Sequence, residues 1–237
     1  MPAIYFLLYY IIGALTIYLI SKLISLPREL IRKMFHILAS FSIFILLEVY
    51  LSWWNAFLTT FFFYGSVHVG SKLLIYLGKL KEIHIARKEG SIEISNQIAN
   101  IGITKCILIL VFWGILGPQG KLYIVLGFIT WGIGDATAAL IGKFWGINRI
   151  KNILFDPKKT LEGSLSMAAS SFLTLVIIFI FYGQTSILYA VINAFIIAPF
   201  GTIVEGMSKK GSDTITLPVS ISAFSYILFL FYQMGFV

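Results

Sequence analysis

Residues 131–166 read WGIGDATAALIGKFWGINRIKNILFDPKKTLEGSLS. An apolar run holding one carboxylate, Asp135, passes into a basic loop and then into Pro157, Lys158, Lys159, Thr160 and Glu162, after which the chain turns apolar again. The setting makes this pattern decisive. Hydrophobic residues make up 59% of the 237-residue chain and charged residues only 12%, against about 25% charged in a soluble domain, and mean hydropathy is +0.93. Such a chain is an integral membrane protein, in which ionisable groups beside lipid are costly unless they have a task.

Apolar runs near 4–21, 34–52, 54–77, 96–116, 122–142, 164–182, 186–205 and 215–235 predict eight transmembrane helices, at about 20 residues per crossing. The expected fold is all-α, one polytopic membrane domain over 1–237 with short loops. The first run has no preceding Lys or Arg and no small-residue cleavage pattern, so it reads as a retained helix rather than a signal peptide. Cys106, the single cysteine, allows no intrachain disulfide.

The net charge of +8 could suggest a nucleic-acid partner, but the charges do not form a basic domain. Lys22, Arg28, Arg32 and Lys33 lie between helices 1 and 2, and Lys72, Lys79, Lys81, Arg87 and Lys88 between 3 and 4. Lys143, Arg149, Lys151, Lys158 and Lys159 lie between 5 and 6, and Lys209 and Lys210 between 7 and 8. All 18 lysines and arginines except Lys105 and Lys121 therefore fall in alternate connections, the pattern of the positive-inside bias. It places the basic loops in the cytosol and both termini outside. A seven-helix arrangement, with LSWWN at 51–55 as a re-entrant turn, would break the alternation; Trp53 and Trp54 fit better as interface anchors. The polar stretch 79–97, KLKEIHIARKEGSIEISNQ, reads either as a surface-lying amphipathic helix or as a solvated loop.

Asp135 sits about two turns inside the fifth helix, ~10 Å from its cytosolic end. Gly132, Ala139, Gly142 and Gly146 share its face, a strip of small residues open either to a ligand or to another helix. If the strip is only a packing seam, Lys105 is the candidate partner for Asp135. Pro157, Lys158, Lys159, Thr160, Glu162, Gly163 and Ser164 open the sixth helix with amides, a hydroxyl and two ammonium groups able to cradle phosphate, and Glu162 can hold the divalent cation that accompanies a nucleotide. Equally, Thr160 can cap that helix while Glu162 complements its dipole. Arg32, Lys33 and His36 start helix 2, Glu205 ends helix 7, and Asp213 with Thr214 precedes helix 8. Four carboxylates, Asp135, Glu162, Glu205 and Asp213, are thus expected at one membrane face. Carboxylates for a divalent metal, basic groups for phosphates and a group to position the attacking oxygen are the parts of phosphoryl transfer. No P-loop and no HExxH motif is present.

RKMFH at 32–36, GDATAALIGKFWG at 134–146, PKKTLEGS at 157–164 and VE with SDTITLP at 204–218 resemble, in order and spacing, the membrane-bound CTP-dependent lipid-alcohol kinases, a family that includes dolichol kinase, phytol kinase and the yeast-type diacylglycerol kinase. The resemblance runs from about residue 28 to 220. It implies a cytosolic face that binds CTP with Mg²⁺ or another divalent cation and transfers the γ-phosphate to a lipid hydroxyl. By position, Asp135 and Glu162 would serve metal and nucleotide, with Glu205 a further metal ligand, and Lys159 would bind phosphate. Arg32, Lys33, His36, Gly134, Gly142, Lys158, Thr160, Gly163, Ser164 and Asp213 would complete the site, with His36 or a carboxylate orienting the lipid hydroxyl. Asp213-Thr214 departs from the Asp-Asn often found in that family. The implied partners are CTP, a membrane lipid alcohol and the bilayer.

The GD and KTxEG elements are shared with CDP-diacylglycerol synthases, cytidylyltransferases acting on phosphatidate. Those enzymes carry a Lys-Arg…Lys-Asp run, then His-Gly-Gly and Asp-Arg-x-Asp, near the C-terminus, where this chain reads KKGSDTITLP. A small transporter is a further alternative, drawn from Lys105, Asp135 and His68 in or near the membrane, but the outer half of the chain offers little polar lining beyond Glu48. Neither the particular alcohol nor the oligomeric state is encoded in these patterns.

Overall fold

A helix of about 20 residues rises ~30 Å, enough to cross the hydrocarbon layer, and the chain is built of such helices. The computed structural model describes residues 2–77, 91–150, 153–157, 159–208 and 211–235. Among these there are eight α-helices and no β-strand, only an isolated antiparallel bridge between Arg149 and Thr160. Seven helical segments are long and apolar enough to span a membrane. The remaining helix, Trp53–Tyr76, has the length, 24 residues, but is diluted by Asn55, His68 and Lys72.

The chain divides into two compact units, Met1–Ile115 and Leu116–Val237. The first holds α1 (Pro2–Leu23), α2 (Arg28–Glu48), α3 (Trp53–Tyr76) and α4 (Ser91–Leu108), the last extended by a π-helical turn, Ile109–Ile115. Two boundaries differ from those expected. α2 begins six residues early because Pro27, with φ of −57°, sets up a helix start and Glu29 complements the first-turn dipole. Arg32, Lys33 and His36 therefore lie inside α2, not at its tip. α4 begins at Ser91, so the last seven residues of the polar stretch 79–97 are helix; its residues up to Gly90 lie outside the described residues. α2 and α3 are separate helices joined through the LSWWN segment.

In this unit the apolar interior, with Phe6, Ile43, Leu46, Leu47 and Leu108 buried, encloses a polar one. Lys105 of α4 is fully buried. Its Nζ donates to Ala39 O at 2.8 Å, to Tyr64 OH at 3.0 Å and to Ser42 Oγ. Tyr10 OH of α1 meets both Ser42 Oγ, at 2.8 Å, and Tyr64 OH. One lysine nitrogen thus ties α4 to α2 and α3, with α1 joined through tyrosine. The Phe6 and Tyr64 rings stand 5.9 and 5.1 Å from the same nitrogen, within cation–π range.

The second unit holds α5 (Lys121–Phe144), α6 (Leu161–Ile177, with a π-helical turn Ile178–Tyr182), α7 (Ile187–Met207) and α8 (Asp213–Gln233). α5 packs on both α6 and α8, and α7 packs on both as well, closing a ring of four. Every residue of α5 from Tyr123 to Gly132 is buried, as expected of a helix apolar on all sides. Gly127 lets α8 come close, for a Cβ there would stand 2.3 Å from Pro218 O. Ser222 Oγ of α8 donates to Tyr123 O at 2.8 Å across the same contact.

Lys105→Ala removes three hydrogen bonds that intramembrane comparisons value at about 0.6 kcal/mol each. It should therefore lower unfolding stability in detergent by roughly 2 kcal/mol, while Lys105→Arg, which keeps donors in place, should cost less. A melting curve for each variant checks the order.

Candidate active site

The site is built by a short connection that folds back on itself. Leaving α5, the chain runs antiparallel to its own return: Ile150 N donates to Lys159 O at 3.1 Å and Leu161 N to Asn148 O at 2.8 Å, on either side of the Arg149–Thr160 bridge. Thr160 caps α6, its Oγ1 accepting from Gly163 N at 3.2 Å, and Ser164 N donates to Thr160 O at 3.0 Å. Three of the amides that the sequence offers to a phosphate, those of Leu161, Gly163 and Ser164, are thus already bonded within the fold.

Glu162 bonds within the connection itself. It accepts from Asn148 N at 3.1 Å and Asn148 Nδ2 at 2.8 Å, clasping the two arms of the connection. Gly134, Gly142 and Gly163 lie where α5 meets α6. A Cβ on Gly163 would stand 2.9 Å from Ala138 O, one on Gly142 3.0 Å from Thr160 Oγ1, and one on Gly134 2.8 Å from Ser171 Oγ. The small residues that make this contact are Gly134, Ala138 and Gly142 of α5 with Gly146 just beyond its end, a packing seam that shares only Gly142 and Gly146 with the strip expected at 132, 139, 142 and 146.

The connection is then tied to α7. Asp156 N donates to Gly206 O at 3.0 Å and Lys159 N to Asp156 O at 2.9 Å. Phe155 fills the notch left by Gly206, since a Cβ at that glycine would stand 2.5 Å from the ring. This places Lys159 beside Glu205, and the two form an ion pair through Nζ and Oε1. Glu205 is buried and Lys159 partly exposed. Asp135 of α5, also buried, and Asp213, the first residue of α8, act on the same ammonium.

Burial by itself lowers the Lys159 pKa, but the Glu205 charge and hydrogen bond, with smaller help from Asp135 and Asp213, outweigh it and raise the pKa above its ordinary 10.5. Because the folded value lies above the unfolded one, this stabilisation is fully present below the ordinary lysine value. It is lost only as the pH rises through the raised one. Lys159 is accordingly an ammonium at neutral pH.

Of the residues singled out in the sequence, the structure thus gathers Asp135, Lys159, Glu205 and Asp213 and directs Glu162 and Thr160 to the connection itself. Lys158 lies outside the described residues. Arg32, Lys33 and His36 belong to the first unit. There Arg32 pairs with Glu29, Lys33 is buried, and the His36 carbonyl accepts from Ser40 Oγ at 2.9 Å. Glu29, a buried carboxylate, escaped the sequence analysis although its three-residue spacing from Arg32 was a signal. Asn148, Phe155 and Gly206 carried no such signal.

Among the described residues, no three His, Cys, Asp or Glu side chains lie close enough to form a metal cage. The acidic group around Lys159 is all oxygen, however, and one or two carboxylates completed by substrate phosphates are how Mg²⁺ is commonly held. One or two of Asp135, Glu205 and Asp213, rather than all three together, would suit that manner of binding.

Over 99 residues, 41% of this chain and 41% of the relative, the sequence is 33% identical to the phytol kinase of Synechocystis sp.. The match therefore spans less than half of either protein, and the likeness is to a kinase. No protein-family model and no solved structure matches the chain.

Two outcomes follow from this geometry. Gly206→Ala should expel the Phe155 ring and speed hydrogen exchange at the Asp156 amide roughly tenfold, equivalent to about 1.4 kcal/mol of local opening; unchanged exchange would mean the ring does not hold the connection. Glu205→Gln should lower the Lys159 pKa, so acetylation of Lys159 followed by mass spectrometry should begin at a lower pH than in the parent protein.

Proposed function

We propose that this chain is a CTP-dependent kinase of a membrane lipid alcohol, with Asp135, Lys159, Glu205 and Asp213 as its phosphoryl-transfer centre. The observation that carries this is the charge balance at the site. Glu205 pairs with Lys159 and the charges of Asp135 and Asp213 also favour its ammonium form, leaving a formal excess of two negative charges that a single divalent cation would match. The local likeness to a phytol kinase and the motif set at 134–164 and 204–218 support the same class.

The residues divide the work by position. Lys159, kept charged by Glu205, would bind a phosphate oxygen of CTP and offset charge developing in the transition state. Asp135 lies nine residues from the end of α5, about 13 Å along the helix, whereas Glu205 and Asp213 lie at helix ends. Asp135 is thus the carboxylate set furthest into the bilayer, where the hydroxyl of a lipid is anchored by its tail, and it would accept the hydroxyl proton. The lipid oxygen then bonds to the γ-phosphorus as the bond to the β-phosphate oxygen breaks, releasing CDP. A bound Mg²⁺ would supply neutralisation of the β- and γ-phosphate oxygens, held by carboxylates of this group. Glu162 would act indirectly, through Asn148, by holding the connection that presents Lys159.

The test is transfer from CTP labelled in the γ or the α position to a panel of lipid alcohols and phosphatidate in detergent with Mg²⁺, with ATP in parallel. Label reaching an alcohol only from the γ position is expected; label reaching phosphatidate only from the α position would mean cytidylyl transfer instead. Asp135→Asn and Lys159→Met should each lower kcat by about 10²-fold or more, the scale of losing one charge-stabilising group. Glu162→Gln should have a smaller effect. Full activity in either of the first two variants would refute the assignment.

A further inference from the structure

The hairpin connecting α5 to α6 carries more apolar surface than a solvated turn requires. Trp145 is 65% exposed, Ile147 84%, Ile153 90% and Leu154 57%, whereas the next residue, Phe155, is turned inward against Gly206. Single exposed apolar residues are ordinary, but four of them on one short hairpin are not.

Two further facts indicate what covers them. The hairpin leaves the end of one candidate membrane span and returns to the start of the next, so its arms lie at the edge of the bilayer. Its sequence from 143 to 158 also holds Lys143, Arg149, Lys151 and Lys158 against the single acid Asp156, and the Lys143 and Arg149 side chains are exposed. Tryptophan and aliphatic side chains beside cations form the composition that partitions into the interfacial layer of an anionic membrane.

We infer that this hairpin docks on an anionic bilayer surface, with Trp145, Ile147, Ile153 and Leu154 entering the interfacial layer and the basic residues meeting lipid headgroups. The same hairpin carries Lys159, and Phe155 links its tip to the end of α7. Anionic lipid beneath the tip therefore steadies the ammonium of the site. That coupling rests on the function proposed above, whereas the docking itself does not.

The experiment places a cysteine at the tip, Ile153→Cys in a Cys106→Ser background, labels it with an environment-sensitive fluorophore and reconstitutes the protein in phosphatidylcholine vesicles with and without phosphatidylglycerol. The expected result is blue-shifted emission, strong quenching by lipids bearing a nitroxide near the headgroup and little quenching by aqueous iodide, all enhanced by phosphatidylglycerol. The same dye coupled to free cysteine in the vesicle suspension serves as the reference for the dye's own partitioning and access to iodide. Water-like emission with full iodide quenching at position 153 would overturn the docking. For the coupling, phosphatidylglycerol should stimulate lipid phosphorylation several-fold in the parent protein and not in Ile153→Asp/Leu154→Asp. Equal stimulation in both would overturn the coupling. If no phosphate is transferred at all, the functional reading fails and the fluorescence still decides the docking.

Discussion

The polar end of the second unit depends on holding one ammonium, that of Lys159, against the buried carboxylate of Glu205. Ions withdrawn from water lose several kcal/mol of hydration each, which only close and well-oriented contact returns. Two further carboxylates, Asp135 and Asp213, add to the pull of Glu205 toward a charged lysine. Contact of that quality needs a fixed backbone. The antiparallel arms at 148–150 and 159–161, the Asp156 amide on the Gly206 carbonyl and the Phe155 ring in the Gly206 notch supply it. A connection that would otherwise be a linker between two membrane helices becomes the element that presents the cation.

The two units bury a lysine by opposite means, and the difference bears on what each lysine can do. Lys105 directs donors to one carbonyl and two hydroxyls and is fully buried, so it serves as a tie between helices. Lys159 is held by a carboxylate and remains partly exposed, so unlike Lys105 it is reachable from solvent. Helix packing follows the same economy. α5 meets α6 through glycines and Thr160 and meets α8 through Gly127. Backbones can then approach closely where apolar bulk would bring no advantage over lipid. That closeness helps bring the inner part of α5 and the ends of α7 and α8 toward one lysine.

Much of this was legible in the chain before folding. The helices were readable because each crossing needs an uninterrupted apolar length, and Asp135 stood out because a carboxylate in such a length is rare. The Thr160 cap and the dipole role of Glu162 were readable as local chemistry, since both act within a turn of their own position. α2 starts ahead of its apolar run, because Pro27 and Glu29 set the helix in motion before the charged residues at its head.

The sequence by itself determined the apolar lengths, the punctuation between them and the few places where charge enters the membrane, because those are properties of a residue and its near neighbours. Only the tertiary structure decided that Glu205 and not Glu162 takes Lys159, that the glycine strip is a seam, that Lys105 belongs to tyrosine and serine hydroxyls, and that the chain divides at residues 115 and 116. The reason is physical. In a membrane helix the side chains facing lipid and those facing other helices are alike in hydropathy, so the pattern marks a crossing without saying which face of it meets which neighbour.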